Sequence, residues 1–329
     1  MTRLLLLAYG RPTEYARAAF AALSAWAWAP TGYGQLAAVV YTDQPAALAP
    51  YLAALPVDYQ VLTEARLTEL RGPRQYVHRI KACVVLEASA AYPGDELLFI
   101  DSDTFFIAAP GPLLQQLAAG TVFLHQPEYT LAEAVGIYAA FSQARYPRRL
   151  LEHLTGRSFQ LAGAEVRFRP YQTCWNSGVL GLPPALAPLL PDTLAMLDDF
   201  YAASEWFTCE QVAFSLALQT AGPLAPAGRY IYHYWAAPQK TLADQLLTHA
   251  LTPALAALPL LTRLRQVRQL IPEWHAALKH HQARHDALYS LGQGQLGAGL
   301  RCAAKALLAD PFDLEFMRQF GRALRWPRS

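Results

Sequence analysis

Residues 97–106 read Leu-Leu-Phe-Ile-Asp-Ser-Asp-Thr-Phe-Phe, and this stretch decides the fold. Residues 97–100 are a short apolar run, which is typical of a strand buried on both faces. The run stops at Asp101 and Asp103, whose side chains point the same way because they are two apart on a strand. In an open α/β sheet, ligands bind beyond the carboxyl ends of the strands. Two hard oxygen ligands at this position suit a divalent cation, and a divalent cation in turn suits a diphosphate. The stretch therefore predicts a site for a metal ion and a diphosphate.

The segments around this strand alternate between predicted strands and helices. Strands are predicted at 3–9, 36–41, 59–62 and 121–124, and helices at 14–28, 46–55 and 75–91, with Pro30 closing the first helix. This alternation predicts an α/β fold in which helices cover both faces of a mostly parallel sheet. The chain contains no Gly-x-Gly-x-x-Gly and no Gly-x-x-x-x-Gly-Lys-Ser/Thr. Dehydrogenase and P-loop interpretations therefore lose their main support.

The composition is that of a globular protein with a substantial core. Of 329 residues, 53% are hydrophobic and 16% charged, and the formal net charge is +2. No block of Lys and Arg with interleaved aromatic residues is present, so nucleic acid is not an expected partner. The four cysteines are far apart, which predicts neither a zinc site nor a disulfide framework and fits a reducing compartment. With no apolar segment of membrane-spanning length, we expect a cytoplasmic protein.

An isolated Asp-x-Asp is usually an ordinary strand end, because Asp favours turns and helix caps. A second stretch, residues 174–181, reads Cys-Trp-Asn-Ser-Gly-Val-Leu-Gly. Asn176 and Ser177 offer compact hydrogen-bonding groups suited to sugar hydroxyls, and Gly178 lets a ligand approach the backbone closely. A simple turn into a buried strand explains these residues as well.

Two more stretches carry candidate site residues. Residues 232–240 read Tyr-His-Tyr-Trp-Ala-Ala-Pro-Gln-Lys, in which His233 is either a packed core histidine or a metal ligand. Lys240 offers a compact positive charge to a departing diphosphate. Tyr9 ends the first predicted strand and Asp43 comes just after the second, so both lie at the same edge of the sheet. Ordinary strand-end residues are the alternative for this pair.

Together these stretches resemble nucleotide-sugar glycosyltransferases of the GT-A type, and in particular the group of glycogenin, galactinol synthase and lipooligosaccharide galactosyltransferase. The resemblance covers about residues 1–240 as scattered short motifs. It implies a GT-A (Rossmann-like) catalytic domain at 1–240, with a nucleotide-binding half at 1–109 and an acceptor half at 110–240. Residues 241–329 are predicted to form a helical C-terminal appendage.

The resemblance also implies roles for individual residues. The expected metal ligands for Mn²⁺ or Mg²⁺ are Asp101, Asp103 and His233. The expected catalytic residues, at the reacting sugar and the phosphates, are Asp103, Asn176, Glu210 and Lys240. The expected contacts with the nucleotide sugar are Tyr9, Asp43, Lys81, Asp101, Ser102 and Ser177, with Arg79 as a further basic candidate.

Some of these assignments have a plainer alternative. In the family the last motif reads His-x-x-Gly-x-x-Lys, whereas here Ala236 replaces the Gly and Lys240 comes one residue later. Glu210 is also explained as an early helix residue that is favourable to the helix dipole. A solvated helical face explains Lys81 equally well.

The resemblance implies transfer of a sugar to a hydroxyl of a glycan or lipid-linked acceptor. The preferred candidate for the donor is a UDP-sugar. Retention is favoured over inversion, and polysaccharide biosynthesis is the expected setting. One alternative is a sugar nucleotidyltransferase, although such enzymes carry a Gly-rich basic loop where this chain has only Gly10, Arg11 and Pro12. The other is a non-catalytic scaffold of a glycan-assembly complex.

Two regions fall outside the motifs. Residues 146–169 are predicted to be less regular, as an acceptor loop or a solvated basic surface. Residues 299–324 resemble the joint between two helices of a tetratricopeptide-like unit, although a solenoid needs about three such units. This tail is either packed on the catalytic domain or a partner surface, which leaves homo-oligomers and peripheral membrane contact open.

Overall fold

The computed structural model describes residues 1–28 and 34–325, and its contacts divide the chain into an N-terminal unit, Met1–His233, and a C-terminal unit, Tyr234–Ser329. Pro30, predicted to close the first helix, lies outside the described residues. The catalytic domain at 1–240 and its two halves stay a prediction. Within the described ranges, no helix is both long and apolar enough to cross a bilayer.

The N-terminal unit alternates strands with helices. Its strands are β1 (Thr2–Ala8), β2 (Leu36–Thr42), β3 (Val57–Val61), β4 (Glu96–Ile100), β5 (Thr104–Phe106), β6 (Val122–Leu124), β7 (Pro127–Thr130), β8 (Phe159–Leu161), β9 (Ala164–Val166), β10 (Thr173–Trp175), β11 (Val179–Leu182), β12 (Leu224–Pro226) and β13 (Ile231–His233). Its α-helices are α1 (Pro12–Trp26), α2 (Pro45–Leu52), α3 (Glu64–Arg71), α4 (Arg79–Ala91), α5 (Gly111–Ala118), α6 (Leu131–Ala139), α7 (Arg145–Leu154), α8 (Leu190–Ser204) and α9 (Cys209–Thr220). A 3₁₀ helix at Pro184–Leu189 precedes α8.

Among the described residues, the central sheet has seven strands in the order β12-β6-β11-β4-β1-β2-β3. The strands β4, β1, β2 and β3 run parallel, as do β12 and β6, whereas β11 is antiparallel to both of its neighbours. The apolar run at 97–100 lies in β4, where Leu98, Phe99 and Ile100 are fully buried between β1 and β11. The predicted fold class, a mostly parallel sheet with covering helices and a helical C-terminal region, is confirmed.

Two of the short strand pairs outside the central sheet supply the loops around the carboxyl end of β4. Strand β5 follows β4 after three residues and pairs antiparallel with β13. Strand β10, which precedes β11, pairs antiparallel with β7. The carboxyl ends of β4 and β13 and the start of β11 are therefore brought to one edge of the N-terminal unit.

Two predicted segments differ from the structure. The helix predicted at 75–91 begins only at Arg79, because Gln75 has a positive φ of 52°, which a right-handed helix does not accept. The segment 146–169, predicted to be less regular, contains most of α7 and the β8–β9 hairpin. Buried Leu150 and Leu154 lie four apart and give α7 an apolar side that packs into the core.

The C-terminal unit is helical, which confirms the pattern predicted beyond about residue 241. Its helices are α10 (Ala237–Ala250), α11 (Pro253–Ala257), α12 (Leu260–Gly292), α13 (Leu296–Ala309) and α14 (Leu314–Arg325). A small core formed by Ala287, Ala303, Ala306 and Phe316 joins the last three helices. The small alanines on α12 and α13 allow the two helices to approach closely.

Candidate active site

Strand pairing brings two acids and a histidine together at the end of β4. Strand β5 pairs antiparallel with β13, so His233 lies opposite Thr104, one residue after Asp103. The Thr104 hydroxyl donates a hydrogen bond of 2.7 Å to the Asp101 carbonyl, which tightens the turn between β4 and β5. The prediction that Asp101, Asp103 and His233 lie close together thus agrees with the strand register, although their function stays a prediction.

We call Asp101, Asp103 and His233 the site cluster. His233 Nε2 lies 3.3 Å from Asp103 Oδ1 and 3.9 Å from Asp101 Oδ2, and one possible ligand atom of each residue lies within 4.8 Å of the other two. The side chain of Asp101 is 30% exposed, whereas those of Asp103 and His233 are buried. The cluster is therefore open to a ligand on the Asp101 side and closed behind it.

The imidazole of His233 is held so that Nε2 faces the two carboxylates. The backbone N–H of Gly178 donates to Asn176 Oδ1 at 2.9 Å, and His233 Nδ1 lies 2.9 Å from the same oxygen. Since an amide oxygen only accepts hydrogen bonds, Nδ1 carries a proton, and whenever the ring is neutral the lone pair is on Nε2. A lone pair and two carboxylates that face one another suit a cation between them, as in metal sites whose histidine donates its other N–H outward.

Gly178 is required by this placement of the ring. A Cβ atom on residue 178 would lie 2.3 Å from both Cε1 and Nδ1 of His233, far inside contact distance. The close approach occurs because Gly178 continues β11, and its carbonyl accepts from the Asp101 N–H at 2.9 Å. Glycine at this position therefore lets the imidazole pack against the backbone beside the cluster.

A buried charge network lies behind Asp101. Lys81 Nζ lies 3.2 Å from Asp101 Oδ1 and 3.2 Å from Glu210 Oε1. It also donates to the Ser177 carbonyl at 2.7 Å, and the Ser177 hydroxyl donates to Glu210 Oε2 at 3.1 Å. Lys81 and Glu210 are only 6% and 4% exposed. Neither residue lies on a solvated helix face, and the Glu210 carboxylate is engaged by Lys81 and Ser177.

Burial and ion pairing act in opposite directions on this network. Burial disfavours the Lys81 ammonium, but the carboxylates of Asp101 and Glu210 outweigh it and raise the pKa of Lys81. Burial raises the pKa of Glu210, and the Lys81 charge opposes that shift. We therefore describe Lys81 as a cation shared by two acids. In formal charge, Lys81 offsets one of the nearby acids, Glu210, and the two aspartates of the site cluster come in addition.

His125 lies against the back of the cluster. Its ring is edge-on to that of His233, with the centroids 5.4 Å apart. Burial, together with the neighbouring His233, lowers the pKa of His125 to about 3. His125 is therefore neutral at physiological pH and adds no positive charge beside the predicted cation site.

The residues predicted to contact the nucleoside follow β1 and β2. Since Ala8 pairs with Thr42, Tyr9 and Asp43 leave the sheet side by side. The Asp43 carboxylate accepts from the Gly10 N–H at 3.1 Å and from the Tyr15 hydroxyl at 2.9 Å. Asp43 therefore fixes the turn after β1, and the nucleoside contacts of this pair stay a prediction.

Three further candidates have other surroundings. The Ser102 hydroxyl donates to Glu14 Oε2 at 2.6 Å, so its contact with the nucleotide sugar stays a prediction. Arg79 donates to both carboxylate oxygens of Asp198, at 2.7 and 3.1 Å, and so joins α4 to α8. Lys240 lies in the first turn of α10 in the C-terminal unit. The assignment of Lys240 to the phosphates stays a prediction, as does that of Asn176 to the donor sugar.

Sequence reasoning missed Glu128. Its carboxylate accepts from the Asn176 amide at 3.0 Å and from the Gln211 amide at 2.9 Å. A signal was present, because His125 and Glu128 follow the predicted strand at 121–124 just as Asp101 and Asp103 follow theirs. The same rule about the carboxyl ends of strands applies to both places.

No protein-family profile and no curated protein sequence matches this chain. Among solved structures, the apo form of mouse xyloside xylosyltransferase 1 is similar at a TM-score of 0.44 and 14% identity, over 69% of this chain and 85% of that chain. The galactosyltransferase LgtC, in complex with donor and acceptor sugar analogues, is similar at 0.42 and 13%, over 65% and 70%. A Bacillus anthracis protein assigned as a glucose-1-phosphate thymidylyltransferase, in complex with sucrose, is similar at 0.40 and 10%, over 75% and 95%. These TM-scores lie below 0.5, and our description of the fold rests on the strand order given above.

Proposed function

We propose that this protein is a metal-dependent glycosyltransferase that moves a sugar from a nucleotide-diphosphate donor to a hydroxyl of a glycan or lipid-linked acceptor. A UDP-sugar is the first candidate for the donor. One observation carries the proposal. Two carboxylates and an imidazole lone pair face one another at the carboxyl edge of the sheet, with the His233 tautomer set by Asn176. A donor set of this kind fits a divalent cation that also binds a diphosphate.

In this proposal Asp101, Asp103 and His233 Nε2 hold the cation. When bound, Mn²⁺ or Mg²⁺ neutralises negative charge that develops on the departing nucleoside diphosphate. We favour Mn²⁺, because an imidazole ligand suits it better than it suits Mg²⁺. The chain's own contribution is to fix the three ligands, since the ring is held by Asn176 and Gly178 and the acids by the turn after β4.

The Lys81–Glu210 pair sets the charge beside the cluster in this proposal. Glu210 is 4% exposed and is held by Lys81 and Ser177, so it is poorly placed to deprotonate an acceptor hydroxyl. This supports retention over inversion in the proposed reaction. Glu210 then acts on the reacting sugar only through the charge that it shares with Lys81.

A thermal-shift panel tests the proposal. UDP, GDP, ADP and TDP are added to the protein with and without Mn²⁺, and Asp103→Ala is measured beside the parent. We expect one diphosphate to stabilise the parent only when Mn²⁺ is present, and Asp103→Ala to give no response. A ligand at about a hundredfold its Kd adds about 2.7 kcal/mol to the unfolding free energy, which is easily measured.

Adding UTP and TTP to this panel separates the alternatives. A sugar nucleotidyltransferase binds a nucleoside triphosphate and a sugar 1-phosphate, so a response to UTP or TTP that exceeds every response to a diphosphate contradicts transfer from a nucleotide-diphosphate sugar. A scaffold without a working site gives no shift with any nucleotide. That result would contradict the proposed metal–diphosphate site.

A further inference from the structure

Glu128 occupies an irregular position on β7. In the β7–β10 pair, Cys174 lies opposite Tyr129 but Trp175 lies opposite Pro127, so Glu128 is the extra residue of a β-bulge. A bulge changes the direction in which a side chain points and is common beside active sites. Here it accompanies a Glu128 side chain that reaches Asn176, the residue directly after β10.

The Glu128 carboxylate bridges two amides. Oε1 accepts from Asn176 Nδ2 at 3.0 Å, and Oε2 accepts from Gln211 Nε2 at 2.9 Å. An ionised carboxylate only accepts hydrogen bonds, so both amides must turn their NH₂ groups toward it. For Asn176 this leaves Oδ1 on the opposite side, where it faces the Gly178 N–H and His233.

If the Asn176 amide were flipped, its contacts with Glu128 and Gly178 would no longer pair a donor with an acceptor. Its oxygen would face the Glu128 carboxylate, and its NH₂ would face the Gly178 N–H. His233 Nδ1 would then accept instead of donating, and the ring proton would move to Nε2, which points at Asp101 and Asp103. A protonated Nε2 has no lone pair for a metal ion.

We propose that Glu128 is a positioning residue of the cation site, which through Asn176 holds His233 in the tautomer whose Nε2 lone pair faces the two aspartates. The proposal rests on the proposed function in that it concerns the same cation site. It adds a residue on a different strand pair that touches none of the three ligands. Carboxylates that orient metal-binding histidines usually contact the ring directly, whereas here the Asn176 amide lies between them.

The tautomer is tested first, without metal. Protein labelled with ¹⁵N-histidine gives nitrogen resonances that distinguish a protonated ring nitrogen from one with a lone pair, and His233→Gln identifies the signals of this residue. At a pH at which these resonances show a neutral His233 ring, we expect protonation at Nδ1 in the parent and a mixture of tautomers in Glu128→Ala. Glu128→Gln, which keeps an acceptor oxygen for Asn176 once Gln211 turns its amide, should restore the pattern of the parent.

Affinity for Mn²⁺ is then measured by titration of the same proteins. Outer partners of metal ligands commonly contribute about 10- to 100-fold to metal affinity. We expect Glu128→Ala to weaken binding about tenfold, near the lower end of that range, because the Gly178 N–H still holds Asn176 Oδ1. In an Asn176→Ala background, Glu128→Ala should change the affinity no further, because the effect acts through that amide. Gln211→Leu, which removes only the other end of the bridge, should leave the Mn²⁺ affinity unchanged.

Each result has one interpretation. A Glu128→Ala protein with the tautomer of the parent overturns the inference, as does an effect on Mn²⁺ affinity that persists in the Asn176→Ala background. The tautomer is read in metal-free protein, so it decides this inference even if the parent binds no Mn²⁺. A parent that shows the Nδ1–H tautomer but no Mn²⁺ binding contradicts the proposed function alone.

Discussion

Two clusters of the same composition lie among the residues that the structure describes, and their surroundings differ. The site cluster in the N-terminal unit has two Asp and one His, and so does a group in the C-terminal unit formed by His280, Asp310 and Asp313, which we call the tail cluster. In each cluster one possible ligand atom per residue lies within 4.8 Å of the others. Composition and spacing alone would therefore predict two cation sites.

The difference lies in what the carboxylates already bind. In the tail cluster, Asp310 Oδ1 accepts from the Phe312 N–H at 3.0 Å, and Asp313 Oδ1 accepts from the Phe316 N–H at 2.9 Å at the start of α14. Asp313 Oδ2 lies 3.0 Å from the guanidinium of Arg284. These acids close the turn between α13 and α14. We infer that the tail cluster is structural and binds no metal.

The site cluster also has a basic neighbour, but its charge is balanced elsewhere. Lys81 contacts Asp101 and is shared with Glu210, so its formal charge offsets only one of these acids. The His233 ring is fixed by Asn176 rather than by an acid. The two clusters therefore have the same residue types and similar spacing, but they differ in the groups that hold their side chains.

The largest expected effect comes from removing a ligand of the site cluster. Asp103→Ala should lower kcat/KM for sugar transfer on the order of 10³-fold, because a metal ion contributes several kcal/mol of charge stabilisation. Release of the nucleoside diphosphate from the donor found in the thermal-shift panel measures this loss. Activity within about tenfold of the parent would mean that Asp103 is not a ligand.

The next effect concerns the shared lysine. Lys81→Met leaves Glu210 buried without its cation and should lower the unfolding free energy by about 3–5 kcal/mol, as expected for one half of a buried ion pair. Urea denaturation measures the change. Adding Glu210→Met to Lys81→Met removes the uncompensated charge and should recover most of the loss. A double variant as unstable as the single one would contradict the pairing.

Gly178→Ala tests the orientation of the His233 imidazole in the site cluster. A Cβ atom 2.3 Å from the ring must displace His233, so we expect Mn²⁺ affinity to fall about 10- to 100-fold. The matched control is Gly136→Ala, because residue 136 is an exposed position of α6 with no atom within 4 Å of an added Cβ. The control should bind Mn²⁺ like the parent and be more stable by up to about 1 kcal/mol.

The smallest effect is expected in the tail cluster. Asp313→Ala removes the side chain that caps α14 and should lower the unfolding free energy of this region by about 1 kcal/mol. Amide hydrogen exchange of α14 measures the change. Thermal stability should not respond to Mn²⁺ through this cluster, so a metal-dependent shift that Asp313→Ala abolishes would show that it is a metal site after all.

The sequence predicted the sheet because its signals are local. The apolar run before Asp101 and the alternation of strands and helices depend on residues that are neighbours in the chain. The start of α4 could not be read in the same way, because the positive φ occurs at Gln75, which is neither a Gly nor an Asn. Likewise, α7 carries many charged residues, and only the spacing of Leu150 and Leu154 reveals its buried side.

The site was predictable only in part. Asp101 and Asp103 are separated by a single residue in the chain. Their contact with His233 depends on the pairing of β5 with β13, which are more than a hundred residues apart in the sequence. The buried pair Lys81–Glu210 is equally distant in sequence and reads as two ordinary helix residues. Glu128 follows the predicted strand at 121–124, but the bulge that accompanies its contact with Asn176 is not visible in the sequence pattern.

The most direct test of the account is the number of Mn²⁺ ions bound per chain. Electron paramagnetic resonance of free Mn²⁺ gives this stoichiometry for the parent, Asp103→Ala and Asp313→Ala without any assumption about the sugar or the acceptor. The account predicts one specific ion in the parent, none in Asp103→Ala and one in Asp313→Ala. An ion that survives Asp103→Ala, or one that is lost in Asp313→Ala, would contradict the assignment of the cation to the end of β4.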